Sequence, residues 1–504
     1  MCWFTTEDGN EYPSATGGVG MDEIDEVAAA VDTVATALET DAAVAHAEVG
    51  GFVRDRTEVI LTHETTRSTH SFLDTGVWCR VLADGASGYR QTTRLDGESL
   101  EQLAETTVRS ARQLGQERPE QYDPETAHRA THGGWAANPL SSIDPEDIAG
   151  RLADARDDAC DDVTLDRARL EYTGEHLTSM LATTTDSLLT TTLDRAKADL
   201  SLSLGDATVR RRVGSTDGST IDRVPELFEG AIDDAARLDA HDASSVESSR
   251  RTIVLGPSAA GQLVAAIVES FEADVALSGL TPFELGDRIA PPSISIADGI
   301  EAGSWAARAF DAEGRPTTPV QLVDDGIARN YLHSVSSASI LDGPVAGSLV
   351  PSIGFETAPR IHARHLDVAA GDRTLEELLA DADAYVERFR GPWKREGLLR
   401  KLRSGWAPPG VNYTPQLAEQ IDDEEIERWR GQRSLPIAEG YRIDDGEFVG
   451  RLEDVTYEFT FDDLPSIDGI GASTETISGV AEKHKSQLPY AVSAPAIRLS
   501  GRLD

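Results

Sequence analysis

The chain has 504 residues, which is enough for two or more domains with sizeable cores. It carries 88 acidic residues against 46 lysines and arginines, a formal net charge of -42, which argues against direct binding of nucleic acid. An apolar fraction of 39% excludes a disordered acidic protein. An ordered core under a very acidic, lysine-poor surface predicts a protein of a salt-loving microbe, with an ordinary acidic protein as the alternative.

Cysteine usage and the absence of long apolar runs indicate a reduced, intracellular setting. The three cysteines, Cys2, Cys79 and Cys160, show neither metal-ligand spacing nor the even count of a disulfide framework. The sequence has no apolar run of about 18 residues and no signal-peptide pattern. We therefore expect a cytoplasmic protein. Residues 1–20 are polar and glycine-rich, so they are predicted to be a flexible tail, with Met21 as the expected true start.

The first half of the chain is predicted to be an α+β domain over residues 21–240. Apolar residues at helical spacing predict helices at 22–38, 99–114, 145–159 and 225–238. Strands are predicted at 43–49, 57–61, 77–82 and 88–90, with Asp84-Gly85 as a hairpin turn. A period of two over 167–213 predicts an antiparallel, threonine-rich meander. Residues 118–144 are predicted to be loop, and 239–249 a polar connector.

A second α+β domain is predicted over residues 250–504, and its central feature is a strand followed by a helix. The apolar run 252–255 is broken by Gly256-Pro257, and Ser258 is the predicted cap of a helix that buries Leu263, Val264, Ile267, Val268 and Phe271. Further strands are predicted at 293–296, 305–310, 320–323, 328–332, 360–368, 450–455, 457–461 and 493–503. Turns are predicted at Asp298-Gly299, Glu313-Gly314 and Asp325-Gly326, a capped helix at 374–389, and an irregular segment at 391–436. The predicted fold class is α+β, with mostly antiparallel sheets and flanking helices.

Several blocks of residues, in order and at the right spacing, resemble one family. They are Gly76 to Val81, Ile253 to Asp274, Phe310 to Thr317 and Ser493 to Ile497. With these blocks the chain resembles the TldD/PmbA proteins, described as modulators of DNA gyrase and as zinc-dependent metallopeptidases, from about residue 24 to its end. The resemblance implies a two-domain α+β fold and a role in proteolysis.

The same resemblance implies which of the family's two kinds of subunit this chain is. The TldD kind carries His-Glu-x-x-x-His on the central helix and a cysteine near the C-terminus, which together hold zinc. The matching positions in this chain are Val264, Ala265 and Glu269. The last cysteine is Cys160, and only the acidic pair Glu272 and Asp274 matches. The chain therefore resembles the PmbA (TldE) kind, and no catalytic, cofactor-binding or metal-binding residue is expected in it.

Four other features of the sequence are possible sites. His63-Glu64 is followed by a histidine only at His70, which is not the spacing of two ligands on one helical face. His362, His365 and Asp367 are a better candidate, but residues i and i+3 of a strand point to opposite faces. The loop from Gly256 to Gly261 lacks the lysine of a phosphate loop, and Ser258 lacks the glycines of a nucleophile elbow. Trp393, Trp406 and Trp429 are expected to be core or interface aromatics.

The sequence thus predicts a non-catalytic subunit of a two-protein metallopeptidase, with zinc in a TldD-like paralogue as its partner. Peptide is the expected substrate, bound by strand addition to a sheet edge. A homodimeric peptide-binding or scaffold protein without catalysis is the alternative. A third possibility is a peptidase that uses Glu269 with His362 or His365.

Overall fold

The computed structural model describes residues 21–63, 65–114, 127–134, 136, 139–160, 163–301, 303–391, 432–483 and 485–504. The predicted tail, Glu64, the three tryptophans between 393 and 429 and most of the segment 391–436 lie outside these residues. None of the described helices is long and apolar enough to cross a membrane.

The first half of the chain forms a seven-stranded sheet with helices on one face. Its strands are β1 Val44–Thr62, β2 Thr66–Ala83, β3 Ala86–Thr92, β4 Arg129–His132, β5 Arg167–Thr183, β6 Leu188–Leu204 and β7 Ala207–Ser215. Neighbouring strands are antiparallel, except that β4 runs parallel to β6. The helices are α1 Met21–Glu39, α2 Gly97–Leu114, α3 Pro145–Cys160 and α4 Val224–Asp239. Their buried faces form two apolar clusters with the sheet.

The second half forms a twelve-stranded sheet and a separate strand pair. Its strands are β8 Ala243–Ser244, β9 Ser249–Leu255, β10 Ile296–Gly299, β11 Val320–Asp324, β12 Ile327–Ala328, β13 Leu349–Val350, β14 Arg360–Ile361, β15 His365–Val368, β16 Ala384–Phe389, β17 Arg433–Asp444, β18 Glu447–Leu452, β19 Thr456–Phe459, β20 Gly469–Lys483 and β21 Ser486–Leu503. The helices are α5 Pro257–Ile267, α6 Ala273–Leu277, α7 Val335–Leu341 and α8 Leu375–Leu379. The long strand β21 is central, since it pairs with β9, β15, β19 and β20.

The predicted fold class is confirmed, and so are the elements with clear periodicity. The four predicted helices of the first half correspond to α1–α4, and the meander corresponds to β5–β7. At the predicted Asp84-Gly85 and Asp325-Gly326 turns all four residues have positive φ, as a two-residue hairpin turn requires. The division of the chain into domains at 240–250 stays a prediction.

Other predicted elements are wrong. The strands 43–49 and 57–61 are one strand, and 360–368 is two short ones. The helix predicted at 374–389 ends at Leu379, and its second half is the strand β16. Residues 305–310 form no strand, and Asp298-Gly299 lies inside β10. The strand predicted at 293–296 is displaced to 296–299, and the strand predicted at 328–332 covers only 327–328. The loops and connector also contain β4, β8 and the start of β17.

The two halves of the chain contact each other across a mixed polar and apolar interface. The rings of Phe52 and Phe355 stack with centroids 4.6 Å apart, and the hydroxyl of Tyr89 donates to the carbonyl of Phe355 at 2.6 Å. Arg80 on β2 binds Glu48 on β1 and reaches across to Glu313 at 2.8 Å. One apolar cluster includes residues of both halves, so the described halves share part of their core.

Candidate functional site

The central helix α5 begins directly at the end of the buried strand β9. That strand lies between β21 and β16, and Gly256 caps the helix with extended backbone. Ser258 is therefore not the cap: it lies inside the first turn, with its buried hydroxyl unpartnered among the described residues. Pro257 is favourable at the first helical position, because a backbone N–H there would have no partner inside the helix.

The inner face of α5 is lined with hydrocarbon. Leu263, Val264 and Ile267 border an apolar cavity whose other walls are Phe271, Ile289, Ala290, Ile294, Ile296, Val323, Val368, Leu464, Ile467, Ile497 and Leu499. Val264, which matches the first histidine of the zinc motif, is 4% exposed. An imidazole there would have no polar partner among these residues.

The other two positions of the motif lie closer to the surface but supply no zinc shell. Ala265 is half-buried and has no ligand atom. Glu269 is partly exposed on the 3-10 turn Val268–Phe271 that follows α5. Ile477 on the strand β20 packs against α5 at Gly261, so closely that a Cβ atom added at Gly261 would lie 3.1 Å from the Ile477 side chain.

The acidic pair that follows α5 is held by a lysine and a histidine. Glu272 is fully buried and accepts from the ammonium of Lys483, which also lies 3.4 Å from Asp274 and donates to the carbonyl of Ile361 at 3.2 Å. Nδ1 of His362 lies 3.0 Å from Glu272 Oε1, and its Nε2 is buried without a described partner. A cation therefore already occupies the centre of this acidic group.

The protonation of this group follows from burial and from its contacts. Burial raises the pKa of Glu272, although the nearby Lys483 opposes this shift. Burial alone would lower the pKa of Lys483, but the carboxylates of Asp274 and Glu272 have the larger effect and raise it. The ammonium contacts two carboxylates and a carbonyl, so we assign the charged ion pair, with the pKa of Lys483 above its ordinary value.

These residues do not fit the zinc ion that the family's catalytic subunits hold. A zinc shell needs several nitrogen, sulfur or oxygen ligands converging on one point. The helix provides Val264, Ala265 and a single carboxylate, and Lys483 brings a competing positive charge close to Glu269. Within the described ranges, no group of three or more His, Cys, Asp and Glu residues is arranged to hold a metal ion.

The remaining candidate residues are not brought together. His365 is buried between Ser304 at 2.8 Å and Ser493 at 2.9 Å, and burial lowers its pKa. His362 binds Glu272 instead, and Asp367 is exposed. His63 and His70 are exposed near the end of the β1–β2 hairpin.

Sequence reasoning missed Lys483 and the pairing of Glu272 with His362. The three residues are far apart in the chain, so no local spacing could indicate them. The scarcity of lysine was a usable signal, because one of only five lysines is placed in this buried acidic group.

Comparisons with known proteins agree with this architecture. Residues 248–394, which contain β9, α5 and the acidic pair, match the model of the PmbA/TldA metallopeptidase C-terminal domain. Over these residues the chain is similar to the PmbA/TldA metallopeptidases. It is 26% identical over 294 residues to a metalloprotease of Methanothermobacter thermautotrophicus, covering 57% of each chain. It is 25% identical over 360 residues to a metalloprotease of Synechocystis, covering 66% of this chain and 74% of the relative.

Solved structures extend the likeness of fold to nearly the whole chain. TldE from Thermococcus kodakarensis superposes with a TM-score of 0.68 at 13% identity, covering 94% of this chain and 99% of that one. The chain spans little more than half the length of the M. thermautotrophicus metalloprotease.

Proposed function

We propose that the chain is the subunit without zinc of a TldD/TldE-type metallopeptidase, paired with a zinc-bearing paralogue, that processes unfolded or short peptides. The observation that carries the proposal is the central helix. Its motif positions hold Val264 against an apolar cavity, Ala265, and Glu269, which is the single possible ligand among the three and interacts electrostatically with Lys483. A chain that keeps the family fold but has hydrocarbon at two of these three positions is suited to forming walls and contacts, not to activating water.

The substrate would bind through its backbone. The strand β20 pairs with β21 along one edge. On its other edge residues 470–472 are hydrogen-bonded to residues 371–373, and beyond them β20 has no second strand neighbour among the described elements. An unpaired strand edge offers N–H and C=O groups to any extended peptide, which makes recognition tolerant of sequence. This chain's contribution is then to hold the peptide extended, while hydrolysis takes place in the paralogue.

The first test is the zinc content of the chain, purified alone without a histidine tag and in concentrated potassium chloride. We expect less than about a tenth of an equivalent, against about one equivalent for the paralogue, because only the paralogue has a ligand set. Close to one equivalent in this chain would refute the proposal.

The second test is reconstitution. Hydrolysis of an unfolded protein substrate is measured for the chain, for the zinc-bearing paralogue and for their mixture, and only the mixture is expected to be active. If the chain is a stable homodimer that ignores the paralogue, the peptide-binding or scaffold alternative replaces this proposal.

A further inference from the structure

A group of arginines lies between the two sheets, away from α5. Arg54 on β1 and Arg195 on β6 extend from the face of the first sheet that meets the second half. Arg308 approaches from the second half. Arg195 and Arg308 both interact with Glu175 on β5, which is 5% exposed and pairs with Arg195 at 2.8 Å, and Arg54 interacts with Arg195.

Positive charge exceeds negative charge in this group. Arg54 pairs with Asp74 at 2.8 Å, and Arg195 shares Glu175, but Arg308 forms no ion pair with any carboxylate of the described residues. Burial and Arg195 together lower the pKa of Arg308 to about 9, although Glu175 opposes them. A guanidinium that is partly removed from water without a compensating anion is unfavourable, and an incoming anion would remove that penalty.

Several donors of this group are buried and unused. Nε and Nη1 of Arg195, which is 1% exposed, and Nε and Nη2 of Arg308 have no hydrogen-bond partner in the part of the chain that the structure describes. Buried polar groups in native proteins are almost always satisfied, so these N–H-bearing atoms are available to donate to an incoming acceptor. Arg308 is only half-buried, so the group is reachable from outside.

Trp305 connects this group to the strand β20. The guanidinium of Arg195 lies over the indole ring, 5.5 Å from its centroid, and the indole N–H donates to the carbonyl of Gly479 at 3.1 Å. The arginine group therefore lies next to β20, the strand proposed above for the peptide.

We infer that Arg195 and Arg308, with Trp305 beneath Arg195, form a site for a carboxylate group of the bound peptide. Guanidinium groups present paired N–H donors that match a carboxylate, and a carboxylate would supply the missing negative charge. The ligand's identity as a peptide rests on the proposed function. The carboxylate comes either from the peptide's C-terminus or from an acidic side chain, and both offer the same chemistry.

The test uses the whole chain and matched pentapeptides that carry a neutral fluorophore at the N-terminus. One uncharged sequence is made with a free C-terminus and with an amidated C-terminus, and a third peptide is amidated but contains one glutamate. Fluorescence anisotropy gives the affinity of each at one fixed chloride concentration. We expect at least one carboxylate-bearing peptide to bind about tenfold or more tightly than the neutral amide, as charge-assisted hydrogen bonds imply. Which of the two does so identifies the source of the carboxylate.

Two variants locate the site. Arg308→Met is expected to reduce the affinity of the preferred peptide to that of the neutral amide. Arg329→Met, which removes an exposed arginine 3.3 Å from Asp324, serves as control and should leave all three affinities unchanged.

Two results would overturn the inference: equal binding of all three peptides by the unaltered chain, or an unchanged preference in a folded Arg308→Met variant. The comparison on the unaltered chain decides alone if that variant does not fold. A failure to pair with the paralogue would refute the proposed function without changing the ratio of these affinities, so the two failures are distinguishable.

Discussion

Replacing Arg80 with methionine tests the contact between the two halves. Nε and Nη2 of Arg80 donate to Glu48 at 2.9 and 2.6 Å, and Nη2 also donates to Glu313 at 2.8 Å. Both carboxylates are buried. Burial alone would raise the pKa of Glu48, but Arg80 and His46 lower it to about 2 from an ordinary 4.5.

The expected loss follows from that pKa. At about 1.4 kcal/mol per pKa unit, the fall corresponds to roughly 3 kcal/mol of stability at neutral pH. Since the folded-state pKa is below the unfolded one, this stability is present above pH 4.5 and is lost as the pH falls toward 2. Removing one partner of a buried pair typically costs about 3–5 kcal/mol, so Arg80→Met should lower the free energy of unfolding by that amount at pH 7.

Urea unfolding at pH 7 and pH 5, in salt that keeps the chain folded, measures the effect. Without Arg80, burial raises the pKa of Glu48, so Glu48 gains a proton as the pH falls and the deficit of the variant should shrink at pH 5. Arg112→Met is the control: it removes the exposed ion pair of Arg112 with Asp84, 2.9 Å apart, and should lower the free energy of unfolding by less than about 1 kcal/mol. A deficit below about 1 kcal/mol for Arg80→Met at pH 7, or one that does not change with pH, would refute the reasoning.

Three further outcomes are expected. Lys483→Met leaves Glu272 buried with His362 alone and should lower the free energy of unfolding by about 3–5 kcal/mol, and the added substitution Glu272→Gln should restore part of that loss. If urea unfolding showed additive losses for the two substitutions, the ion pair would be contradicted. The triple variant Val264→His, Ala265→Glu, Glu269→His should not bind zinc tightly, because position 264 faces hydrocarbon and the charge of Lys483 acts on position 269. Competition with a chelator measures the zinc affinity, and stoichiometric zinc binding would contradict this prediction. Burial raises the pKa of Cys79 to about 12, so in the folded chain at pH 8 it should resist iodoacetamide and react only on unfolding, as followed by peptide mass spectrometry; rapid alkylation in the folded chain would contradict its burial.

The sequence predicted elements that carry their own periodicity and failed where pairing decides the structure. Thr374 and Glu377 form the predicted capping box, but the helix they begin ends at Leu379. The following residues form β16 because they pair with β9 and β17 on either side. Those backbone hydrogen bonds lie far apart in sequence and outweigh the weak helical preference of the segment.

The strand β20 shows the same limit from the opposite side. Its exposed part, 472–476, is polar, so no alternation of apolar residues indicates a strand there. Pairing with β21 holds it extended, from Gly469 opposite Arg498 to Lys483 opposite Ser486. The acidic group was unpredictable for a related reason, since Lys483 reaches Glu272 only because β20 returns past the end of α5.

The acidity of the chain makes its buried arginines informative. With 88 acidic residues against 46 basic ones, carboxylates are abundant, and buried basic groups are generally paired with one. Arg364 binds Asp298 at 2.7 Å, and Arg211 binds Glu439 at 2.7 Å. Arg308 departs from this pattern, as does the buried Arg315, since no described carboxylate pairs with either of them. Arg308 differs from Arg315 in lying beside Arg195, and for this arginine pair an anion from outside the chain would supply the missing negative charge.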